Sequence, residues 1–198
     1  MKQPLIYIFL FLITFNSYSQ EWKLKKDKKG IKVYTRKLKT TKLCEFKATT
    51  LIKTTLETAL NTITDGDNLW KWNYKTSESK TIAKLSENEF IVWMENDFTW
   101  PVKNRDNVSR LKVIALKDGG YRVNISAEHP NTVALIRGNI RITKFEGYWL
   151  LIPRGEYVEI TQQVYGDPKG KLPYWIINNI LTAAPYHSFS NLKELLEK

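Results

Sequence analysis

Apolar and polar positions alternate along most of the chain between residues 31 and 165. Such alternation, together with many β-branched and aromatic residues, is typical of strands that bury one face. One segment inside this region, residues 54–64, instead has apolar side chains at helical spacing and predicts a helix. We predict strands over residues 31–36, 43–52, 81–85, 89–99, 107–116, 121–128, 139–152 and 157–165.

The two ends of this region have a different pattern. From residue 172 to the C-terminus the spacing of apolar residues is helical, and we predict one helix of about 24 residues. Pro173 suits its first turn, and Pro185 removes a backbone donor in its middle and predicts a kink. Residues 21–28 are highly charged and predict a short helix that ends at Gly30.

This order of elements predicts an α+β fold. Short turn segments such as 117–120 and 153–155 join the later strands, so we expect antiparallel neighbours in a meander. The last helix would lie on one face of a curved sheet. With 198 residues, 42% of them hydrophobic, the chain can bury the core of a single domain, which excludes a disordered chain.

The first 19 residues have the pattern of a secretory signal peptide. Lys2 precedes an apolar stretch over residues 5–15, and Ser17-Tyr18-Ser19 fits a small-x-small cleavage site before Gln20. The stretch is shorter than the roughly 20 residues that span a bilayer. We therefore expect residues 1–19 to be removed, residues 20–198 to form the domain, and the protein to be periplasmic or secreted. An uncleaved N-terminal anchor is the alternative.

The chain is basic, with 31 Lys and Arg against 20 Asp and Glu. Ten of the basic residues lie between residues 23 and 42, where Asp27 is the one acid. Because the basic residues are concentrated at one edge and the protein is expected to be exported, we do not expect nucleic-acid binding. We expect transient contact with an anionic membrane, or else a solvated face. The docking candidates are Lys23, Lys25, Lys26, Lys28 and Lys29.

Cofactor and metal chemistry have little support in the sequence. Cys44 is the single cysteine and shares a strand face with Phe46 and Ala48, which favours a buried thiol. The only two histidines, His129 and His187, are far apart, and no cluster has the spacing of metal ligands. Glycine-rich phosphate-binding motifs and the G-x-S-x-G element are absent from the sequence. We expect neither a metal nor a cofactor.

Several short motifs occur in the same order as in one known family of domains. Residues 100–106, WPVKNRD, resemble the aromatic-Pro-x-x-Asn-Arg-Asp element of StAR-related lipid-transfer (START) domains. Residues 167–178, DPKGKLPYWIIN, resemble the bacterial START signature that leads into the last helix, with Lys169 where Gly is commoner. The segments 30–34 and 147–149 and the helical Pro185 also fit. Together these motifs cover residues 22–198.

The resemblance implies a helix-grip fold, in which a curved antiparallel sheet wraps around a long C-terminal helix. A tunnel between the sheet and the helix would hold one hydrophobic molecule. Some START proteins place an acid and an arginine in that tunnel. Glu95 falls near the acid position, Leu111 stands at the arginine position, and strand alternation directs Arg110 to the opposite face. We expect cavity-lining residues among Trp93, Glu95, Asp97, Arg110, Trp149, Trp175, Asn179, Ala183 and His187.

The function implied is that of an exported, non-enzymatic lipid carrier or sensor, which we expect to be a monomer; the sequence leaves the ligand open. An aromatase- or cyclase-like enzyme on the same scaffold is the alternative. Its acid–base groups would come from Glu95, Asp97, His129, Tyr74 and His187. A third alternative is an interaction module whose own Trp and Tyr side chains fill the cavity.

Overall fold

The computed structural model describes residues 21–38, 44–98, 100, 102–170 and 172–198. This part of the chain contains two α-helices, α1 (Leu56–Thr64) and α2 (Tyr174–Leu196), and one 3₁₀ helix, Gly66–Lys71. Its strands are β1 (Lys23–Lys28), β2 (Ile31–Lys37), β3 (Cys44–Lys53), β4 (Thr76–Ser86), β5 (Glu89–Asn96), β6 (Arg105–Ala115), β7 (Tyr121–Ala127), β8 (Ile140–Ile142), β9 (Phe145–Arg154) and β10 (Tyr157–Gly166).

All the strands belong to one curved sheet, in the order β1-β2-β3-β10-β9-β7-β6-β5-β4. Neighbours in this order are antiparallel, and β8 lies off the path, paired in parallel with β6. The pairing of β3 with β10 joins the N-terminal strands to the meander. Helix α2 packs on one face of the sheet, which we call the inner face. The α+β architecture predicted from the sequence is therefore confirmed.

The segment between β3 and β4 is capped by its own side chains. The Thr55 hydroxyl accepts a hydrogen bond from the Thr58 amide at 3.1 Å and begins α1. Asp65 follows α1, and its carboxylate accepts from the Asp67 amide at 3.2 Å, which begins the 3₁₀ helix. The sequence predicted a stop at residues 65–66 and missed this second, short helix.

The helix predicted over residues 21–28 is wrong, because this segment forms β1. Lys29 and Gly30 have φ values of 53° and 75°, the left-handed conformation of a two-residue hairpin turn. The turn pairs β1 with β2. Gly30 therefore serves the hairpin rather than the end of a helix. The lysines of β1 lie on a sheet edge, where charge opposes pairing with another chain.

The single strand predicted over residues 139–152 is two strands. β8 pairs in parallel with β6, whereas β9 pairs antiparallel with β7, so the chain passes from one strand partner to another at residues 143–144. Because both segments are apolar, the sequence pattern did not show where the first strand ends and the second begins. The strand predicted over residues 81–85 is longer in the structure, where β4 extends from Thr76 to Ser86.

Two apolar clusters lie on opposite faces of the sheet. A small cluster of Ile91, Trp93 and Val108 lies on the outer face, where Val133 packs against it. The main cluster joins α2 to the inner face and includes Ile31, Val33, Ile52, Val92, Leu111, Val123, Trp149, Leu151, Ile160, Phe189 and Leu192. The faces alternate residue by residue along each strand.

Candidate functional site

The C-terminal half of α2 is fixed to the sheet by buried side chains and hydrogen bonds. Phe189 and Leu192 have no exposed surface. The Asn191 side chain donates to the Trp72 carbonyl at 3.1 Å, and the Lys193 ammonium donates to the Leu51 carbonyl at 2.8 Å. The Ser188 hydroxyl bonds to the chain segment that precedes β4. This end of the interior is a filled core.

Part of the inner face is buried less completely. Phe46, Met94 and Ile125 lie on the inner face and contact the main cluster, yet each is only half-buried. Ile180 and Leu181 of α2 are half-buried as well. These apolar side chains of the strands lie on the inner face and keep accessible surface. We call this region the half-packed end.

Arg105 holds together the loops beside the half-packed end. Its guanidinium, in a residue 2% exposed, donates to the carbonyls of Lys103, Pro168 and Lys169. It also lies 5.0 Å from the centre of the Phe98 ring. Burial lowers the Arg105 pKa. The contacts tie loop 97–104 to loop 167–170, which leads into α2.

Trp175 does not line the interior as predicted. It lies in the first turn of α2 and is 70% exposed. Trp100 in loop 97–104 is 89% exposed. These two indoles are the most exposed of the large apolar side chains in the described part of the chain, and they project from segments on either side of the Arg105 contacts.

Trp93 and Glu95 lie on the outer face, which corrects the expectation that they line the cavity. The Trp93 indole donates to Asp106 at 3.0 Å, and Glu95 accepts from the Asn139 side chain. Met94, between them, occupies the inner position. The cause is strand alternation, because a shift of one residue moves a side chain to the other face.

Arg110 also lies on the outer face and is no cavity residue. Its guanidinium pairs with Glu128 at 2.7 Å and with Glu89 at 2.8 Å. The hydrogen bonds that Arg110 donates to Glu128 and Glu89 raise the Arg110 pKa, and the one to Glu128 lowers the pKa of that carboxyl. The neighbouring Leu111 faces inward and is buried in the main cluster. The direction inferred for Arg110 from strand parity is the one observed.

Two further cavity candidates, Asp97 and Trp149, do not line the half-packed end. Asp97 is exposed, and its carboxylate accepts from the Asn104 side chain at 2.7 Å, which stabilises loop 97–104. Trp149 faces inward but is 5% exposed, and its ring stacks on Phe189 with centroids 5.6 Å apart. It belongs to the filled core rather than to the half-packed end.

The candidates on α2 are spaced four residues apart and lie along one side of the helix. Ala183 precedes Leu192 by nine residues, about two and a half turns, so it lies on the opposite side of the helix from this buried leucine. Asn179 lies within α2, and its side chain is outside the described part of the chain. Ala183 and His187 are both half-buried. The expectation that they line the interior stays a prediction.

His187 belongs to an aromatic row with Tyr74 and Tyr186. Its ring stacks on Tyr74 with centroids 4.7 Å apart. Lys26 of β1 places its ammonium 3.6 Å from the centre of the neighbouring Tyr186 ring. Desolvation, and then the charge of Lys26, lower the pKa of His187, so the neutral imidazole is favoured. Lys26 is thus half-buried, whereas the other four docking candidates are exposed.

A buried ion pair on the outer face had not been predicted. Arg141 donates to both oxygens of Asp106, at 2.9 and 2.6 Å. Its remaining donors bond to the carbonyls of Val133 and Ala134, at 3.1 and 3.2 Å, and to that of Pro130. The pair fastens segment 128–139 over the outer cluster. Asp106 was part of a recognised motif, but no signal in the sequence paired it with Arg141.

Metal sites and membrane-spanning helices were searched over the described residues. No group of three His, Cys, Asp or Glu side chains there is placed to hold a metal ion. No helix in the described part is both long and apolar enough to cross a bilayer. Cys44 begins β3, and the burial predicted for its thiol falls outside the described side chains.

A ten-stranded curved sheet around a long C-terminal helix is the helix-grip class of fold. Comparison with known families makes the assignment specific, since the model of the START domain matches residues 14–184. The chain belongs to the START-domain family, as its motifs predicted. Membership of this family supports a lipid-binding role.

Relatives span nearly the whole chain. An uncharacterized protein of Pseudomonas aeruginosa is 30% identical over 190 residues, which cover 96% of this chain and 93% of that protein. The crystal structure of a STAR-related lipid transfer protein from Xanthomonas axonopodis has a TM-score of 0.82 at 29% identity, covering 89% of this chain and 99% of the other. Human StAR-related lipid transfer protein 5 shares the fold, with a TM-score of 0.80 at 17% identity and coverages of 89% and 86%.

Proposed function

We propose that the protein, as a monomer, binds one hydrophobic lipid at the half-packed end of its interior and carries it between membranes. The contrast between the two ends carries this proposal. Phe189 and Leu192 are fully buried at one end, while Met94 and Ile125 lie on the inner face with accessible surface. A lipid chain placed there leaves water at a gain of about 25 cal/mol per Å².

The proposal is for a carrier and not for an enzyme. General acids and bases must come within hydrogen-bond reach of the substrate. Glu95 lies on the outer face, Asp97 and His129 are exposed, and Tyr74 stacks with His187. Three of the five cyclase candidates, Glu95, Asp97 and His129, therefore lie away from the half-packed end. Their placement supports binding without chemistry over the aromatase- or cyclase-like alternative.

Vesicle-to-vesicle transfer tests the carrier role. We expect the protein to accelerate movement of a fluorescent acyl lipid from donor to acceptor vesicles, in proportion to protein concentration, because a sheltered lipid avoids the cost of crossing water. Energy transfer between donor probe and a non-exchangeable quencher gives the rate. If protein that demonstrably holds lipid gives the same transfer rate as vesicles alone, then the protein binds lipid but does not transfer it.

We further propose that the protein is exported after cleavage before Gln20. Residues 1–19 lie outside the described part of the chain, so the support is the sequence pattern alone. The intact mass of protein recovered from the periplasm or medium should correspond to a chain beginning at Gln20. Recovery of a chain that retains Met1 would contradict export by cleavage.

The basic edge at β1 and its turn is proposed to assist docking on anionic membranes. Lys23, Lys25, Lys28 and Lys29 are exposed there. Each basic residue near an anionic surface contributes about 1 kcal/mol, and salt screens this attraction. Replacing all four with Gln should slow transfer from phosphatidylglycerol-containing vesicles at low salt, and the difference should vanish at about 1 M salt.

A matched variant separates docking from net charge. Lys80, Lys112, Lys117 and Lys198 are exposed elsewhere on the surface, and their replacement with Gln removes the same charge. This control should transfer lipid almost as the wild type does. Equal rates for both quadruple variants at every salt concentration would show that the β1 edge is only a solvated face. Lys26 stays unchanged in both because it packs on Tyr186.

A further inference from the structure

The half-packed end contains a polar pair on β6. Asn107 lies opposite Met94 of β5, and Ser109 lies opposite Val92. Directly paired residues of antiparallel strands project from the same face. Because Met94 and Val92 pack in the main cluster, Asn107 and Ser109 also lie on the inner face. Two hydrogen-bonding side chains therefore stand in a largely apolar surface.

The two side chains orient one another. The Ser109 hydroxyl, in a residue 3% exposed, donates to Asn107 Oδ1 at 2.9 Å. This bond uses the amide oxygen and fixes the plane of the half-buried Asn107 amide. Among the described residues, Trp72 Nε1 is the one buried side-chain nitrogen or oxygen without a hydrogen-bond partner, so Asn107 Nδ2, which makes no hydrogen bond there, keeps accessible surface. When a bound molecule displaces water from this donor without accepting its hydrogen bond, free energy is lost.

The charged group near Asn107 and Ser109 already has its hydrogen-bond partners. The Arg105 guanidinium, two residues earlier on the same face, is occupied by three carbonyls. Met94 and Leu111 contribute no charge. An ionised head placed beside Asn107 would lose its hydration without gaining a counter-ion, which costs far more than placing a neutral oxygen there.

We propose that Asn107 Nδ2 donates a hydrogen bond to a neutral oxygen of the bound molecule, held in position by Ser109. This inference rests on the proposed lipid-binding function and narrows its ligand class. The ligand is an uncharged amphiphile with a hydroxyl or an ester carbonyl, and not a fatty-acid anion. Asn107 acts as a specificity residue inside the site.

Displacement of Nile red from the mature protein at pH 8 tests the proposal with three competitors, 1-dodecanol, methyl laurate and laurate. The first two carry the proposed oxygen as hydroxyl or as ester, and laurate is ionised at this pH. We expect both neutral competitors to bind the wild type more tightly than laurate. Asn107→Leu should weaken the binding of the neutral competitor that uses this hydrogen bond about three- to tenfold, which is the contribution of one net hydrogen bond. The affinity for laurate should not change.

Two further variants supply a control and a second test of the role of Asn107. Asn124→Leu changes an outer-face amide on the adjacent strand β7 and should alter no affinity. Ser109→Ala keeps the Asn107 amide but frees its orientation, so it should weaken neutral binding by a smaller factor. It also replaces Asn107→Leu if that variant does not fold.

The outcomes separate this inference from the function on which it rests. Equal neutral affinities in wild type and Asn107→Leu, or tighter binding of laurate than of both neutral competitors, would overturn the role of Asn107 and leave lipid binding intact. A folded wild type that takes up neither Nile red nor any competitor would contradict the proposed function, and this inference with it.

Discussion

We expect Arg141→Met to lower the free energy of unfolding by about 3–5 kcal/mol, the cost of leaving a buried charge without its partner. The Arg141 and Asp106 side chains are 7% and 0% exposed. The substitution also removes the donors to the carbonyls of segment 128–139. Urea denaturation at pH 7 measures the loss, and amide exchange should show faster opening of that segment than of β6.

A surface pair provides the matched control. Arg154 pairs with Glu159 at 3.3 Å, and both side chains are well exposed. Arg154→Met should cost at most about 1 kcal/mol, because water screens the pair. The double variant Asp106→Leu with Arg141→Met removes both charges and should recover part of the lost stability. An Arg141→Met protein as stable as Arg154→Met would show that the buried pair is not needed to hold the segment.

The second large effect is expected from Ile125→Trp, which should reduce lipid occupancy at least tenfold. Ile125 faces inward and is half-buried at the half-packed end, so the larger indole would occupy the space proposed for the ligand. Filling unoccupied space costs little packing, and we expect the melting temperature to change much less than the occupancy. Mass spectrometry of extracted lipid, normalised to protein, gives the occupancy.

The adjacent residue supplies a control for this substitution. Asn124 lies on the same strand, and its side chain lies on the outer face, where it accepts from Arg122 at 2.7 Å. Asn124→Trp adds an indole of equal size outside the interior and should leave lipid occupancy unchanged. Equal losses in both variants would indicate damage to β7 rather than filling of a binding site.

Much of the fold could be predicted because local patterns and tertiary structure agree. Strand alternation located most of the sheet, and the change to helical spacing located α2 within two residues of its start. The prediction failed at β1, where charged residues without alternation hid a strand that exists through its hairpin with β2. The signal present was Lys29-Gly30, which suits a two-residue turn as well as a helix end.

The site was harder to predict than the fold. Trp93 and Met94 differ by one position, and only the packing of α2 decides which of them faces inward. On α2, a motif located the helix but did not show that Trp175 in its first turn is 70% exposed. The partners Asp106 and Arg141 are 35 residues apart, and the parallel pairing of β8 with β6 brings them together. That pairing has no local sequence signal.

Native mass spectrometry of the protein purified from its own host tests the central claim most directly. The account predicts a folded monomer that carries the mass of one lipid molecule, which is lost on denaturation and is reduced at least tenfold in Ile125→Trp but not in Asn124→Trp. A wild type that is folded and monomeric, carries no added mass, and acquires none after incubation with lipid vesicles or neutral amphiphiles would contradict it.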